Sequence, residues 1–377
     1  MPEFLKVMEG WERFAPVRSQ RIDERAVARA VDLLENEAKH PAHLHEYLLK
    51  EAITTADFPY LMGVILDREI LAKYRAWTAS WRDWVKVSTV KDFNTVYRHK
   101  VYGQAGILPR VVEKGEYLPR KPGEARYEGK VLKYGEQFDI SWEAQINDFL
   151  QAFQDVPEQM AKSAVMTENW LVTSLYAMVT GPHTGLYGAT ITDVDGQAIT
   201  NLGTLNLTIA NLETTVNAVA SQTDPNGNPI INRALYLVVP PALELTGRAI
   251  LTSTLMAYAA TAAAATPLAT QNVIAQYGLQ LRVDPFLPII DTSANRNRTW
   301  YVFADPSLAP AVEALFLRTH ESPEICMKSS DKVSSGGGNM SPFSGDFATD
   351  NVMYRIRHCM GGIRLDPRYT YAQAPTS

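Results

Sequence analysis

The sequence predicts an α+β fold, and three stretches carry that expectation. Residues 132–143 alternate apolar and polar side chains as a half-buried strand does. The roughly 25 residues before Gly181-Pro182 hold one apolar stripe at helical spacing. Residues 235–317 mix strand-like and helix-like runs divided by proline and glycine. At 377 residues the chain is long enough for two or three domains, or for one large unit with a sizeable core.

Composition narrows the class. Hydrophobic residues make up 46%, charged residues 20%, and the formal net charge is -5, which argues against disorder and against a dedicated nucleic-acid binder. Only 2 cysteines are present, Cys326 and Cys359, so no disulfide framework or four-ligand zinc pattern is expected, in keeping with a reducing compartment. MPEFLKVMEGWERF lacks a continuous apolar core and carries acids, so no signal peptide is expected, and no later run is expected to span a membrane. AYAATAAAATPLAT, interrupted by Pro267, reads as a flexible surface loop.

The elements follow in chain order. Residues 21–50 place Ile22, Ala26, Val27, Ala30, Val31, Leu33 and Leu34 at helical spacing among charges, as a partner-facing amphipathic helix would. His40, His43 and His45 follow; no carboxylate set completes a metal site, so they read as solvated. Residues 54–84 read as an extended arm with a helix from about Tyr60 to Tyr74. Its Trp77, Trp81 and Trp84 are either interface anchors or a local core cluster. From Asp92 onward NTVYRHKVYG and RVVEKGEYLPRKPGEARYEGK put charge on both faces, which predicts a projecting hairpin with YGEQFDISW as its returning base. Asp148 with Gln151 resembles a capping box for a short first helix, and Asp155, Pro157 and Glu158 make a second start. The long helix is expected over 156–180, with Met160, Ala164, Thr167, Leu171, Leu175 and Met178 as its stripe. Residues 204–220 are helix-like, ALYLVV is a buried strand stopped by Pro240-Pro241, and a helix is expected over 242–254. GLQLRVDPFLP, TWYVFAD and LAPAVEALFL then predict strand, strand and helix. SSGGGN reads as a hairpin tip, and Gly361-Gly362 as the joint between two closing strands that return to the main sheet.

Catalysis finds little support. Glu143 and Asp148 stand five apart, which sends them to opposite faces of a strand and ~140° apart on a helix, so they do not converge on one substrate atom. No nucleophile elbow, phosphate loop, dinucleotide fingerprint, HExxH or CxxC occurs. We expect no enzyme, no catalytic residues, no cofactor and no metal. A front helix, a tryptophan-rich arm, a charged ribbon and a loop suit assembly instead.

At this point the residues resemble a known family. TTADFPYLMGVILDREILAKYRAW, GEYLPRKPGEARYEGKVLKYGEQFDISWEAQINDFLQAFQDVPEQMAKSAVMTENWLV, LYLVVPPALE and RHCMGGIRLDPRYTY, in that order, resemble tailed-bacteriophage major capsid proteins with the Hong Kong 97-type shell fold, from about Thr54 to the C-terminus. The resemblance implies a helical extension (1–53), an N-terminal arm (54–91), an extended β-hairpin loop (92–133), a peripheral domain with the spine helix (134–234), an axial domain (235–317) and a return to the peripheral domain (318–377). It further implies homo-oligomeric hexamers and pentamers closing an icosahedral shell around double-stranded phage DNA. That DNA would be held without sequence-specific binding, in a virion capsid assembled in the host bacterial cytoplasm. Scaffolding, portal and decoration proteins are further candidate partners; no membrane is. Interface candidates are Trp77, Trp81, Trp84, Glu113, Lys114, Glu116, Arg120, Lys121, Glu124 and Arg126. An encapsulin-like compartment shell and, more remotely, a soluble enzyme are the alternatives.

Overall fold

A computed structural model describes residues 80–102, 108, 110–117, 123–141, 150–224, 227–230, 232–253, 255–258, 268–335 and 344–375. The expectations for the front helix, the three histidines, Trp77, Arg120, Lys121, Glu143 and the Asp148 cap lie outside these residues, as do most of the alanine-rich loop and of SSGGGN. Chain contacts separate two compact units.

The larger unit comprises Glu69–Gln137, Leu150–Ile325 and Arg355–Ser377. It opens with a 3-10 turn, Ser80–Asp83, which seats Trp81 and Trp84 in the core. Strand β1 (Lys86–Val90) and strand β2 (Val96–Tyr102) follow, and β2 pairs antiparallel with the 18-residue β3 (Gly123–Ile140). Helix α1, Leu150–Tyr176, has 27 residues and is thus about 40 Å long. It runs unbroken through Pro157, so the expected separate first helix does not form. It stops at Tyr176, where Ala177–Met178 pairs back with Gly181–Pro182 instead of extending the helix to 180. The expected stripe is buried at Met160, Ala164, Leu171 and Leu175. A second line, Ala161, Val165, Val172 and Tyr176, widens it, because α1 meets two sheets rather than one.

Further on come β4 (Leu202–Gly203), α2 (Ile209–Ala220), β5 (Ala234–Val239), α3 (Glu244–Thr252), β6 (Gln280–Val283), β7 (Trp300–Ala304), β8 (Val312–Leu317), β9 (Val352–Arg364) and β10 (Thr370–Gln373). Thr208 caps α2 by accepting from the Asn211 N–H. One sheet has the order β6-β5-β7-β10-β4, the other β1-β8-β9-β3-β2. In the first, period-2 alternation sorts side chains between two cores: Val238, Tyr301 and Phe303 face α1, while Leu237, Val239, Trp300 and Val302 face the cluster holding α2 and α3. Covered on both sides, such strands read as unbroken apolar runs. Asp284, after β6, ties the sheet to α1 by accepting from Thr173 and Tyr176, and burial pushes its carboxyl above the usual range.

Two expectations are overturned here. LAPAVEALFL holds no helix: Val312–Leu317 is a strand with every residue buried, Val312, Ala314 and Phe316 on one core and Leu315 and Leu317 on another. A short run, apolar except for Glu313, does not separate strand from helix by periodicity, and the two-sided burial decides it. Nor do Gly361-Gly362 form a joint, since the 13-residue β9 passes straight through them. Their role is close approach. A Cβ on Gly361 would lie 2.0 Å from the Lys130 carbonyl oxygen, and one on Gly362 would lie 2.4 Å from Leu175 Cδ1.

Sheet membership also crosses the expected boundary at 317. Strand β8 belongs with β1, β9 and β3, whereas β10 belongs with β5 and β7.

The smaller unit, described by residues 138–141, 326–335 and 344–354, stacks Phe138 on Tyr354 with ring centroids 5.0 Å apart. Asn351 Nδ2 donates to Asp139 Oδ2 at 3.0 Å, and Asp346 caps the turn that follows it by accepting from Thr349.

Candidate assembly interface

The ribbon β2/β3 packs its inner side on a small cluster with Val90, Leu315, Leu317, Cys359 and Ile363, to which Tyr127 and Val131 belong, and its register assigns a face to every paired side chain. Val96 pairs with Gly129, Arg98 with Tyr127 and Lys100 with Ala125; the alternate pairs are Tyr97 with Glu128, His99 with Arg126 and Val101 with Glu124. The first set turns inward, with Ala125 and Tyr127 buried, and the second is exposed. Charge on both faces suggested a ribbon with no core side. The structure shows instead that the inner charges, Arg98 and Lys100, are half-buried and paired with buried acids.

Two sets of ion pairs clamp the inner face. Glu313, on β8, keeps only 1% of its side chain exposed. Arg98 donates to it through Nε at 3.0 and 3.1 Å and through Nη2 at 2.7 Å, and Ser88 on β1 also donates to it. The hydrogen bond to Glu313 raises the Arg98 guanidinium above its ordinary value, burial opposing.

The second clamp gathers three carboxylates. Lys100 Nζ reaches Asp193 and Asp195, each at 3.2 Å, and also Asp366. Beneath it Arg368, 1% exposed, donates to Asp193 at 2.8 Å, Asp195 at 3.1 Å and Asp366 at 3.2 Å. Tyr127 completes the group by donating to Asp193 at 3.0 Å. Local turns place these acids: Gly196, at φ +83, closes the turn from Asp193, while Asp366 caps the 3-10 turn Pro367–Tyr369 by accepting from the Arg368 N–H. Burial, aided by the carboxylates, pushes the Tyr127 phenol well up. Burial disfavours the Lys100 cation, yet the carboxylates outweigh it and raise the ammonium's pKa. Burial likewise opposes ionisation of Asp195, but Arg368, the Gln197 N–H and Lys100 hold its carboxyl below the usual range.

Beyond the clamps the ribbon presents apolar surface. Tyr97 and Val101 on the outer face are 44% and 56% exposed, and Leu108, Val112 and Tyr117 towards the far end are 83%, 66% and 82% exposed. Glu113 and Lys114 sit in a turn closed by the Gly115 N–H on the Val112 carbonyl at 2.8 Å, and Glu116 follows it, exposed. Glu124 and Arg126 lie on the outer face, the Arg126 guanidinium 4.7 Å above the Tyr97 ring.

Trp81 and Trp84 are elsewhere. Each is 1% exposed inside this chain's own core, Trp81 stacked on Phe316 at 6.3 Å, so the local-cluster reading describes them and they offer nothing to a neighbour. Arg98, Lys100, Asp193, Asp195, Glu313, Asp366 and Arg368 were not anticipated. For Arg98 and Lys100 the signal was present: with Val96 they share one parity in VYRHKVY.

Among the described residues no cluster of histidine, cysteine, aspartate or glutamate could hold a metal ion, and no helix is long and apolar enough to cross a membrane.

Residues 126–373 match the family model for phage capsid protein. The chain belongs to the phage capsid protein family. It is a major capsid protein, a structural component rather than an enzyme. A search of curated proteins returned no match. Among solved structures, a chain from Mycobacterium phage Ogopogo is 13% identical, with 79% of this chain and 92% of that one covered and a TM-score of 0.44. The capsid structure of the cyanophage P-SCSP1u is 14% identical, covering 79% and 88%, at 0.44. The holo-SrpI encapsulin complex from Synechococcus elongatus PCC 7942 is 10% identical, covering 80% and 88%, at 0.43.

Proposed function

We propose that this capsid protein joins hexamers and pentamers of a Hong Kong 97-type icosahedral shell around double-stranded DNA, and that the ribbon is the part each subunit lays on its neighbour. The observation that carries the reading is the contrast between the ribbon's faces, one packed inward and clamped by ion pairs, the other exposed and carrying Tyr97 and Val101 among Glu124, Arg126 and Glu128. Fully burying a side chain such as Val112 or Leu108 contributes about 1.5–3 kcal/mol, whereas an exposed ion pair contributes only ~0.2–1 kcal/mol. Adhesion on this reading comes from Tyr97, Val101, Leu108, Val112 and Tyr117. Glu113, Lys114, Glu116, Glu124 and Arg126, with Arg120 and Lys121 of the same stretch, set registry by charge.

We assign the sheet of β5, β7 and β10 with α2 and α3 to the axial domain, and the sheet of β1, β8 and β9 with α1 to the peripheral domain. The formal charge of -5 suits a shell that does not grip the genome, counterions neutralising the packed DNA instead. Assembly would take place in the host bacterial cytoplasm.

Electron microscopy and mass photometry on the protein, alone and with the scaffolding partner if assembly requires one, test the proposal. Five- and six-subunit capsomers or closed shells are expected, and Val112→Asp with Tyr117→Asp should abolish them while leaving the fold's denaturation midpoint unchanged. Assembly undiminished by the double substitution would reject the ribbon as the adhesive part. Particles that carry a cargo enzyme in place of DNA would reassign the shell to a compartment.

A further inference from the structure

Asp284, just after β6, is buried against α1 with 1% of its surface exposed. Its Oδ1 accepts from the Phe286 N–H at 2.8 Å. Its Oδ2 lies 2.6 Å from Thr173 Oγ1 and also meets the Tyr176 hydroxyl. Thr173 Oγ1 in turn lies 2.8 Å from the Asn169 carbonyl oxygen, one turn back on α1. Taken singly, each contact at Oδ2 is a hydroxyl donating to a carboxylate. Taken together, the contacts Tyr176–Asp284, Asp284–Thr173 and Thr173–Asn169 need three protons, and the two hydroxyls carry one each. A carbonyl oxygen supplies none, so the third belongs to Asp284.

The surroundings agree with that count. Burial raises the carboxyl above its usual range against the pull of these hydrogen bonds. Among the described residues no cation pairs with it, and Arg282, two residues earlier on β6, is turned to Asp83 at 2.5 Å. The titratable neighbours are Tyr176 on α1 and Tyr301 on β7, whose phenols burial pushes well up, so both are neutral. Beyond Tyr301 lie Tyr187, neutral for the same reason, and Asp291, a second acid.

We propose that Asp284 keeps its proton at neutral pH and donates it to Thr173, so that a neutral acid fastens α1 to the end of β6 and its ionisation loosens the seam. One chain of donors then satisfies every group: Tyr176 to Asp284, Asp284 to Thr173, Thr173 to Asn169. Loss of the proton leaves Thr173 with one hydrogen for two acceptors and an unpaired charge in the core. The unfolded chain releases this proton near pH ~4 and the folded one at a higher value, so the contribution is complete below ~4 and is lost as pH rises through the folded value. The inference does not depend on the ribbon's role.

Infrared spectroscopy of the unassembled full-length subunit in deuterated water at neutral pH reads the proton directly. The carbonyl stretch of a protonated acid is expected in the wild type and not in Asp284→Asn, whose amide keeps an acceptor for Phe286 and a donor for Thr173. Should that variant not fold, Thr173→Val identifies the acid, because removing the acceptor of its hydrogen bond shifts the band. No band in the wild type, or a band that neither substitution alters, overturns the proposal. Urea unfolding gives a second reading: relative to Asp284→Asn, the wild-type unfolding constant should rise about ten-fold per pH unit above ~4 until the folded group ionises. A ratio that stays flat from pH ~4 to ~8 would equally sink the idea.

Discussion

Glu313 offers a sharp test of how the ribbon is held. Its carboxylate is 1% exposed in the middle of β8, a strand otherwise apolar, and three Arg98 hydrogen bonds plus the Ser88 hydroxyl satisfy it. Arg98→Met keeps the stem of the side chain and removes the charge, leaving a buried carboxylate without its cation. Breaking a buried pair in this way costs ~3–5 kcal/mol, and because the Arg98 side chain is 35% exposed, water will reach the gap and the loss should fall near ~3 kcal/mol. Converting both partners, Arg98→Met with Glu313→Leu, removes the stranded charge as well, so the double variant should lie within ~1 kcal/mol of wild type. The assay is equilibrium denaturation of the unassembled subunit in urea at neutral pH, with the coupling energy taken from the full cycle. A double variant that loses the sum of the two singles would refute the reasoning, for it would mean that the pair is two separate packing contributions.

The other clamp, the glycines and the core yield further expectations. Lys100→Met leaves Arg368 alone with three carboxylates and should cost roughly 2–3 kcal/mol, read as an earlier urea midpoint and as faster tryptic cleavage within the ribbon. Since Asp195 is held below the usual carboxylate range, its contribution is complete above the unfolded value near ~4 and is lost as pH falls through the lower folded value; Asp195→Asn should flatten that acid limb of stability against pH. Gly361→Ala should be worse than Gly362→Ala, because the added carbon meets the Lys130 backbone in the first case and the movable end of Leu175 in the second; the latter should cost about 1–3 kcal/mol by thermal melting. Trp81→Ala should cost about 3–5 kcal/mol in the unassembled subunit, where an interface anchor would cost nothing.

What the sequence made legible follows from where each pattern is local. Helix α1 announces itself by a period of 3.6, the base of the ribbon by a period of 2, and β5 by an apolar run stopped by Pro240-Pro241; all three elements are present close to where those signals put them. Strand β8 was hidden because its burial on both sides comes from strands and a helix distant in sequence, so its own residues carry no alternation. Gly361-Gly362 carried a turn signal, yet the reason for glycine there is the nearness of Lys130 and Leu175, which no local reading contains. The clamp acids were hidden for the same reason, since Asp193, Glu313 and Asp366 come from separate segments and meet Arg98 and Lys100 only through the fold. Half of that site was within reach. Parity already placed both cations on one side of β2, and two like charges sharing a face with Val96 call for buried counter-charges.

Ion pairs add to the apolar packing of Val96, Tyr127 and Val131 in fixing the hairpin. Among the described residues strand β2 is the edge of the sheet and pairs with β3 alone, so it needs side-chain contacts to fix it. Apolar contacts at its base would hold it there with no preferred angle, whereas Arg98 and Lys100, two residues apart on one strand, meet acids fixed by β8, by the Asp193 turn and by the Asp366 cap. Each acid comes from a different element, so a rotation of the ribbon about its base would lengthen one set of bonds or the other. Direction is thereby specified at the cost of desolvating seven charged groups in whole or part, and Tyr97 and Val101 stay on the outer face. On the proposed function this division is what a shell requires: a subunit that folds alone, holds its ribbon at a defined angle, and completes the burial of Tyr97, Val101, Leu108, Val112 and Tyr117 only against a neighbour.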